Sequence, residues 1–211
     1  MRDNLVVAAI DVGGRANIGW AVEKSPGSAA YEMGLGNKSL GELIEKLKDH
    51  LSNDRPVALG IESPLYLPIA ESENRINSAR AGESNRAWSA SAGASVAPLG
   101  VHQLAYVLSG LQDPLESDKV GFKAGLLDSG PSLMIWEAFV SGSAKGESHE
   151  EDASIAIRAF RAKLSDESIQ SDLEVDDDDR VINIAAAAVL AVWPDCSSDL
   201  ASKPCLVVKP G

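Results

Sequence analysis

The stretch Leu5–Trp20, LVVAAIDVGGRANIGW, constrains this chain more than any other. An apolar run ends in one carboxylate, Asp11. Two glycines follow, and a second apolar run, Ile18–Val22, comes after them. The pattern predicts a buried strand, a Gly-rich turn and a return strand. It places Asp11 where a strand leaves the core. Gly13 and Gly14 leave room for a ligand to approach the backbone. The question for the rest of the chain is which other carboxylates can reach Asp11.

The 211 residues suit a single α/β domain with a long loop insertion at about 65–97. No apolar run approaches the roughly 18–20 residues of a membrane span. The N-terminal segment lacks the pattern of a secretory signal. Cys196 and Cys205 do not have metal-site spacing, and two cysteines point to the cytoplasm as the default compartment. The net charge is −12. This argues against a broad non-specific grip on nucleic acid, which needs a basic face. The charge is also uneven, because Glu147–Asp179 holds twelve acidic residues against three basic ones. In Tyr66–Gly100, by contrast, Arg75, Arg80 and Arg86 balance three glutamates. Any bound nucleic acid would therefore enter a local groove.

Strands are predicted at about 4–11, 17–23 and 29–35, forming an antiparallel meander. Ser39 and Glu42 have the spacing of a capping box ahead of a helix to about Ser52, whose Leu40, Leu43, Ile44, Leu47 and Leu51 share one face. Val57–Ile61 reads as a buried strand ending in Glu62-Ser63-Pro64, parallel to the first strand. Residues 65–97 read as a long polar loop, with Pro98 opening the next helix. Leu133–Val140 reads as another strand, interrupted by Glu137. An acidic amphipathic helix is expected at 149–164, an acidic linker to about 178, and an Ala-rich helix at 180–193. The segment from Cys205 to Val208 is a candidate edge strand. The expected fold is a mixed five-stranded α/β sheet: a three-strand antiparallel meander plus two parallel strands, with helices on both faces.

In that arrangement Asp11 and Glu62 emerge side by side at the carboxyl ends of neighbouring strands, where open α/β sheets bind ligands. The four aspartates of residues 176–179 enter the last helix. Clustered carboxylates repel one another, and a hard divalent cation relieves that repulsion. Two such ions can clamp a phosphodiester displacement.

The motifs Ile10-Asp11-Val12-Gly13-Gly14, Ile18-Gly19-Trp20-Ala21-Val22, Gly60-Ile61-Glu62-Ser63-Pro64 and Asp178–Ala187 resemble the ribonuclease-H-like superfamily. Within it, the chain is most similar to the predicted nucleases of the domain-of-unknown-function 429 family, and more distantly to Holliday-junction resolvases. The resemblance implies a nuclease of DNA or RNA using Mg²⁺ or Mn²⁺. It implies Asp11, Glu62 and Asp179 as metal-binding catalytic carboxylates, with Glu137 as a further candidate. Asn183 stands where that pattern has a second acid in the last helix; its amide oxygen can ligate but brings no charge.

Each residue also has a plainer role. Asp11 can cap the Gly-Gly turn, and Glu62 can pair with an arginine. The Asp run can cap a helix, and Glu137 can pair with Lys145 or an arginine. In the insertion, Arg75, Arg80, Arg86 and Trp88 are candidates for phosphate contact and base stacking. Gly13, Gly14, Arg15 and Asn17 are candidates at the first turn. His149 reads first as solvated surface, with proton transfer as the sharper alternative. Two alternatives stand beside the nuclease. One is a non-catalytic binding protein of the same fold, suggested by Asn183. The other is a sugar-kinase-like or actin-like phosphotransferase, which shares the Asp-x-Gly-Gly turn but needs a second lobe. Oligomeric state is not legible in the sequence.

Overall fold

A computed structural model describes residues 3–83, 88–140, 142–164, 169–173 and 180–210. Strand β1 (Val6–Asp11) runs antiparallel to β2 (Gly19–Glu23), and β2 runs antiparallel to β3 (Tyr31–Leu35). Helix α1 (Leu40–Ser52) crosses to β4 (Val57–Ile61), which lies parallel to β1. After a short β5 (Tyr66–Pro68) come α2 (Ser91–Gly110), β6 (Val120–Gly121) and β7 (Leu133–Ala138). Strand β7 is parallel to β4. Helix α3 (His149–Lys163), β8 (Val181–Asn183), α4 (Ala185–Val192) and β9 (Val207–Val208) complete the chain.

The main sheet has the order β3-β2-β1-β4-β7-β6. Its first five strands form the expected arrangement, a three-strand antiparallel meander joined to two parallel strands. Two short parallel strands extend it, and both pair with β7: β6 at Leu133 and Met134, β9 at Glu137 and Ala138. The segment ending in Val208 thus joins the sheet as expected.

Strands β1, β4 and β7 are buried on both faces, which explains their continuous apolar runs. Period-two alternation divides their side chains between two cores. Val6, Ala8, Ile10, Val57, Leu59, Ile61, Leu133 and Ile135 pack with residues of α1, α2 and α4. Val7, Ala9, Ala58, Met134, Trp136 and Ala138 pack with Ala153, Ala156, Ile157 and Phe160 of α3. Gly60 belongs to this second face. A Cβ there would lie 2.4 Å from the Trp136 ring, so the missing side chain lets the indole lie across β4. Trp136 in turn stacks at a tilt on Phe160, with 4.6 Å between ring centroids.

Three local expectations are corrected. Ser39 does not cap α1: its hydroxyl donates to the Gly36 carbonyl and accepts from Trp20 Nε1. The tertiary contact with Trp20 takes the oxygen a capping box would use.

Helix α2 begins at Ser91 and contains Pro98, instead of opening at it. Pro98 and Ala94 both face solvent, so water can satisfy the carbonyl that the missing N–H leaves free.

The helix expected from Arg180 is a strand first. Val181 and Asn183 are buried, Ile182 is exposed, and the three pair with β5. β-Branched residues alternating in this way suit a strand edge better than a helical turn.

Candidate metal centre

Asp11 is the last residue of β1, and Glu62 follows β4 directly. The parallel register pairs Ile10 with Ile61, and the Glu62 amide donates to the Ile10 carbonyl at 2.8 Å. The two acids therefore leave the sheet side by side. Alternation past Ile10 and Ile61 turns both toward the face that α3 covers.

Helix α3 delivers the third carboxylate. Ser148 caps it by accepting from the Glu151 amide, which fixes its first turn. That turn rests on Gly19, the β2 partner of Asp11. A Cβ at Gly19 would lie 2.4 Å from the His149 carbonyl carbon and 2.5 Å from the Glu150 nitrogen. Only a glycine there lets the helix end approach the sheet this closely. As a result, oxygens of Asp11, Glu62 and Asp152 all lie within 4.8 Å of one another. His149 Nδ1 also contacts Asp11 Oδ2. Gly19→Ala is accordingly expected to push the α3 N-terminus outward. The expected readout is a loss of divalent-ion affinity of about tenfold or more, measured by calorimetry, because a fixed carboxylate set is opened.

The local electrostatics are those of crowded acids. Burial, followed by the neighbouring Asp11 charge, pushes the Glu62 carboxyl up to about 9. Glu62 Oε2 finds no hydrogen-bond donor among the described residues. Lys145 supplies the nearest positive charge, with Nζ 3.0 Å from Asp152 Oδ2 and 3.4 Å from Glu62 Oε1. Burial opposes that ammonium, but Glu62, Asp152 and Asp11 together hold its pKa above the ordinary lysine value. The Gly146 amide donates to Asp152 Oδ1 at 2.6 Å and fixes that carboxylate from its other side.

The remaining sequence candidates are dispersed. Asp179 and Arg86 lie outside the described residues, as do the other aspartates of 176–179. Glu137 sits on the face of β7 opposite to Asp11, since Met134, Trp136 and Ala138 take the α3 side. It is fully buried and paired bidentately with Arg80, at 2.8 and 2.6 Å. The Leu65 amide donates to it as well. Arg80 also holds Glu83 and stacks over the Tyr66 ring. Both of its terminal nitrogens are thus used inside the protein, which takes Arg80 away from the role of surface phosphate contact.

Asn183 is likewise engaged at both ends of its amide: Oδ1 accepts from the Ala186 amide and Nδ2 donates to the Lys203 carbonyl. It is the last residue of β8, two positions ahead of α4, instead of lying one turn inside that helix. Trp88 is half-buried, with its indole N–H on the Ser78 carbonyl. Arg15, Asn17 and Arg75 are exposed. Gly13 is required by the turn itself, since a Cβ would lie 2.4 Å from the Asn17 carbonyl oxygen, whereas Gly14 is open.

Asp152 went unread in the sequence, although a signal was present. Asp152, Ala156 and Phe160 recur at helical spacing, so the acid continues the buried stripe of α3 toward its N-terminus. An acid on an apolar stripe has to be accounted for by a partner or a ligand.

No family model matches the chain, and no curated protein does so either. Among solved structures it is similar to that of Thermus thermophilus RuvC, with 15% identity, 89% of this chain and 91% of that chain covered, and a TM-score of 0.24.

Proposed function

We propose that this protein is a divalent-metal-dependent phosphodiesterase acting on nucleic acid, with Asp11, Glu62 and Asp152 as the metal-binding carboxylates. The observation that carries the reading is the convergence of their oxygens within 4.8 Å at the carboxyl ends of β1 and β4. The donor set fits a hard cation such as Mg²⁺ or Mn²⁺: three carboxylates, one of them with an oxygen lacking any donor among the described residues. A divalent ion held there would supply Lewis-acid polarisation of the phosphodiester and of a water molecule.

The chain's own groups have separable tasks. The Gly146 amide and the Ile10 carbonyl hold the Asp152 and Glu62 ends of the site in place. His149 orients Asp11 through Nδ1, which leaves Nε2 as its remaining proton-exchanging atom. Kinship with the domain-of-unknown-function 429 nucleases is part of this proposal, supported by the Asp11–Gly14 turn and by Glu62-Ser63-Pro64. The overall acidity favours a substrate reached through a local groove, where Arg15 and Arg75 are the exposed cations named above.

The test is cleavage of a panel of single-stranded, duplex and branched DNA and RNA, with Mg²⁺, Mn²⁺ or chelator. Cleavage that appears with metal and vanishes with chelator is expected. A protein that binds neither ion and cleaves no member of the panel would overturn the reading.

A further inference from the structure

Lys145 sits on the turn ahead of α3. Its ammonium lies within ion-pair distance of two of the three converging carboxylates, 3.0 Å from Asp152 and 3.4 Å from Glu62. Among the described residues, these two acids are its ion-pair partners. The carboxylates it holds are ones a metal at this site would need. An ammonium is a compact point charge with three donors and cannot gather as many oxygens as a divalent ion. It is, however, tethered next to the site, at an effective concentration in the millimolar range or above. The two cations therefore compete for one set of ligands.

The geometry also gives the ammonium a way out. The Lys145 side chain is 42% exposed, whereas Asp11 and Asp152 are 4% and 6% exposed. Its four-carbon stem can swing toward solvent without moving α3. The backbone hydrogen bond from Gly146 to Asp152 keeps that carboxylate in place when the ammonium leaves.

We propose that Lys145 is the resident counter-ion of the carboxylate cluster, occupying it in the absence of metal and displaced when a divalent ion binds. The inference rests on the metal-site reading above. In consequence, Lys145 sets the metal concentration at which the site fills. The carboxylates stay gathered at low metal, and occupancy begins only when the divalent ion outcompetes a tethered amine.

The experiment is a Mn²⁺ titration of the metal-free full-length protein, reading free Mn²⁺ by electron paramagnetic resonance. Wild type, Lys145→Met and Lys145→Arg are compared, with far-ultraviolet circular dichroism to verify folding. Lys145→Met keeps the length and removes the charge, and is expected to bind Mn²⁺ about tenfold more tightly than wild type. Lys145→Arg keeps a cation and is expected to stay near wild type or bind more weakly. A second readout needs no metal titration: metal-free Lys145→Met should melt below wild type, and saturating Mn²⁺ should close the gap. If Lys145→Met does not fold, Lys145→Gln carries the same expectation.

Equal Mn²⁺ affinity in wild type and Lys145→Met, or weaker affinity in the variant, overturns the counter-ion role and leaves the metal-site reading standing. If no form of the protein binds Mn²⁺, both fall.

Discussion

Asp11→Asn and Asp152→Asn are each expected to abolish divalent-dependent cleavage, by on the order of a thousandfold, while the protein remains folded. Each change removes one charge and one strong oxygen ligand from a set of three. An asparagine at 11 keeps an acceptor toward His149, and one at 152 keeps an acceptor toward the Gly146 amide. The scaffold therefore loses little. In Asp11→Asn the metal-free protein is expected to melt at the wild-type temperature or above it, because Glu62 is relieved of a like charge that raises its pKa. Cleavage rate and melting temperature should thus separate. A variant that keeps its rate would remove Asp11 from the site. A variant that loses rate and stability together would make the residue structural.

The second large effect lies on the opposite face of the sheet. Arg80→Met is expected to destabilise the fold by about 3–5 kcal/mol, which corresponds to a melting temperature lower by roughly 10 °C. The arginine is the shared partner of two buried carboxylates, Glu137 and Glu83, and its loss leaves both without a cation. It also fastens the residues that follow β5 to β7, since Glu137 accepts from the Leu65 amide and from Arg80 alike. Arg80→Met combined with Glu137→Met and Glu83→Met is expected to regain part of the loss, because packed apolar groups replace an ionic network at little cost. Urea titration of the three proteins checks this. A loss below about 1 kcal/mol in Arg80→Met would mean that water reaches the pair in solution.

The two networks show why chemistry and stability were hard to separate in the sequence. Glu62 and Glu137 look alike there: each is a lone acid set against an apolar strand, Glu62 directly after Ile61 and Glu137 within Leu133–Val140. Their difference is one of parity. Glu137 pairs with Ile61 in the parallel register, one residue short of Glu62, and a one-residue step moves a side chain to the other face of the sheet. On one face the acid meets Asp11 and α3. On the other it meets Arg80, brought from 57 positions away in the chain. No local spacing in the sequence contains that partner.

Much else was legible from local pattern. The continuous apolar runs and the Gly-Gly turn identified β1, β2, β4 and β7, and with them the mixed sheet. The periodicity of Leu40–Leu51 identified α1, and that of 149–164 identified α3. Elements of weak or ambiguous pattern were misread. Val181–Asn183 is too short for its alternation to stand out beside the alanines that follow. The reading of Pro98 as a helix start overlooked that a solvent-facing proline is tolerated inside α2.

The sequence by itself therefore determined that Asp11 and Glu62 stand together. Both follow from strand ends and parallel order, which depend on short-range hydrophobic pattern. Only the tertiary structure decided the third carboxylate and its counter-ion. Asp152 becomes a site residue because α3 docks against the bare backbone of Gly19, and Lys145 follows because its turn precedes that helix. A helix's periodicity reveals which face it buries. Which strand end that face will meet is settled by packing between residues far apart in the chain, and that information is not local.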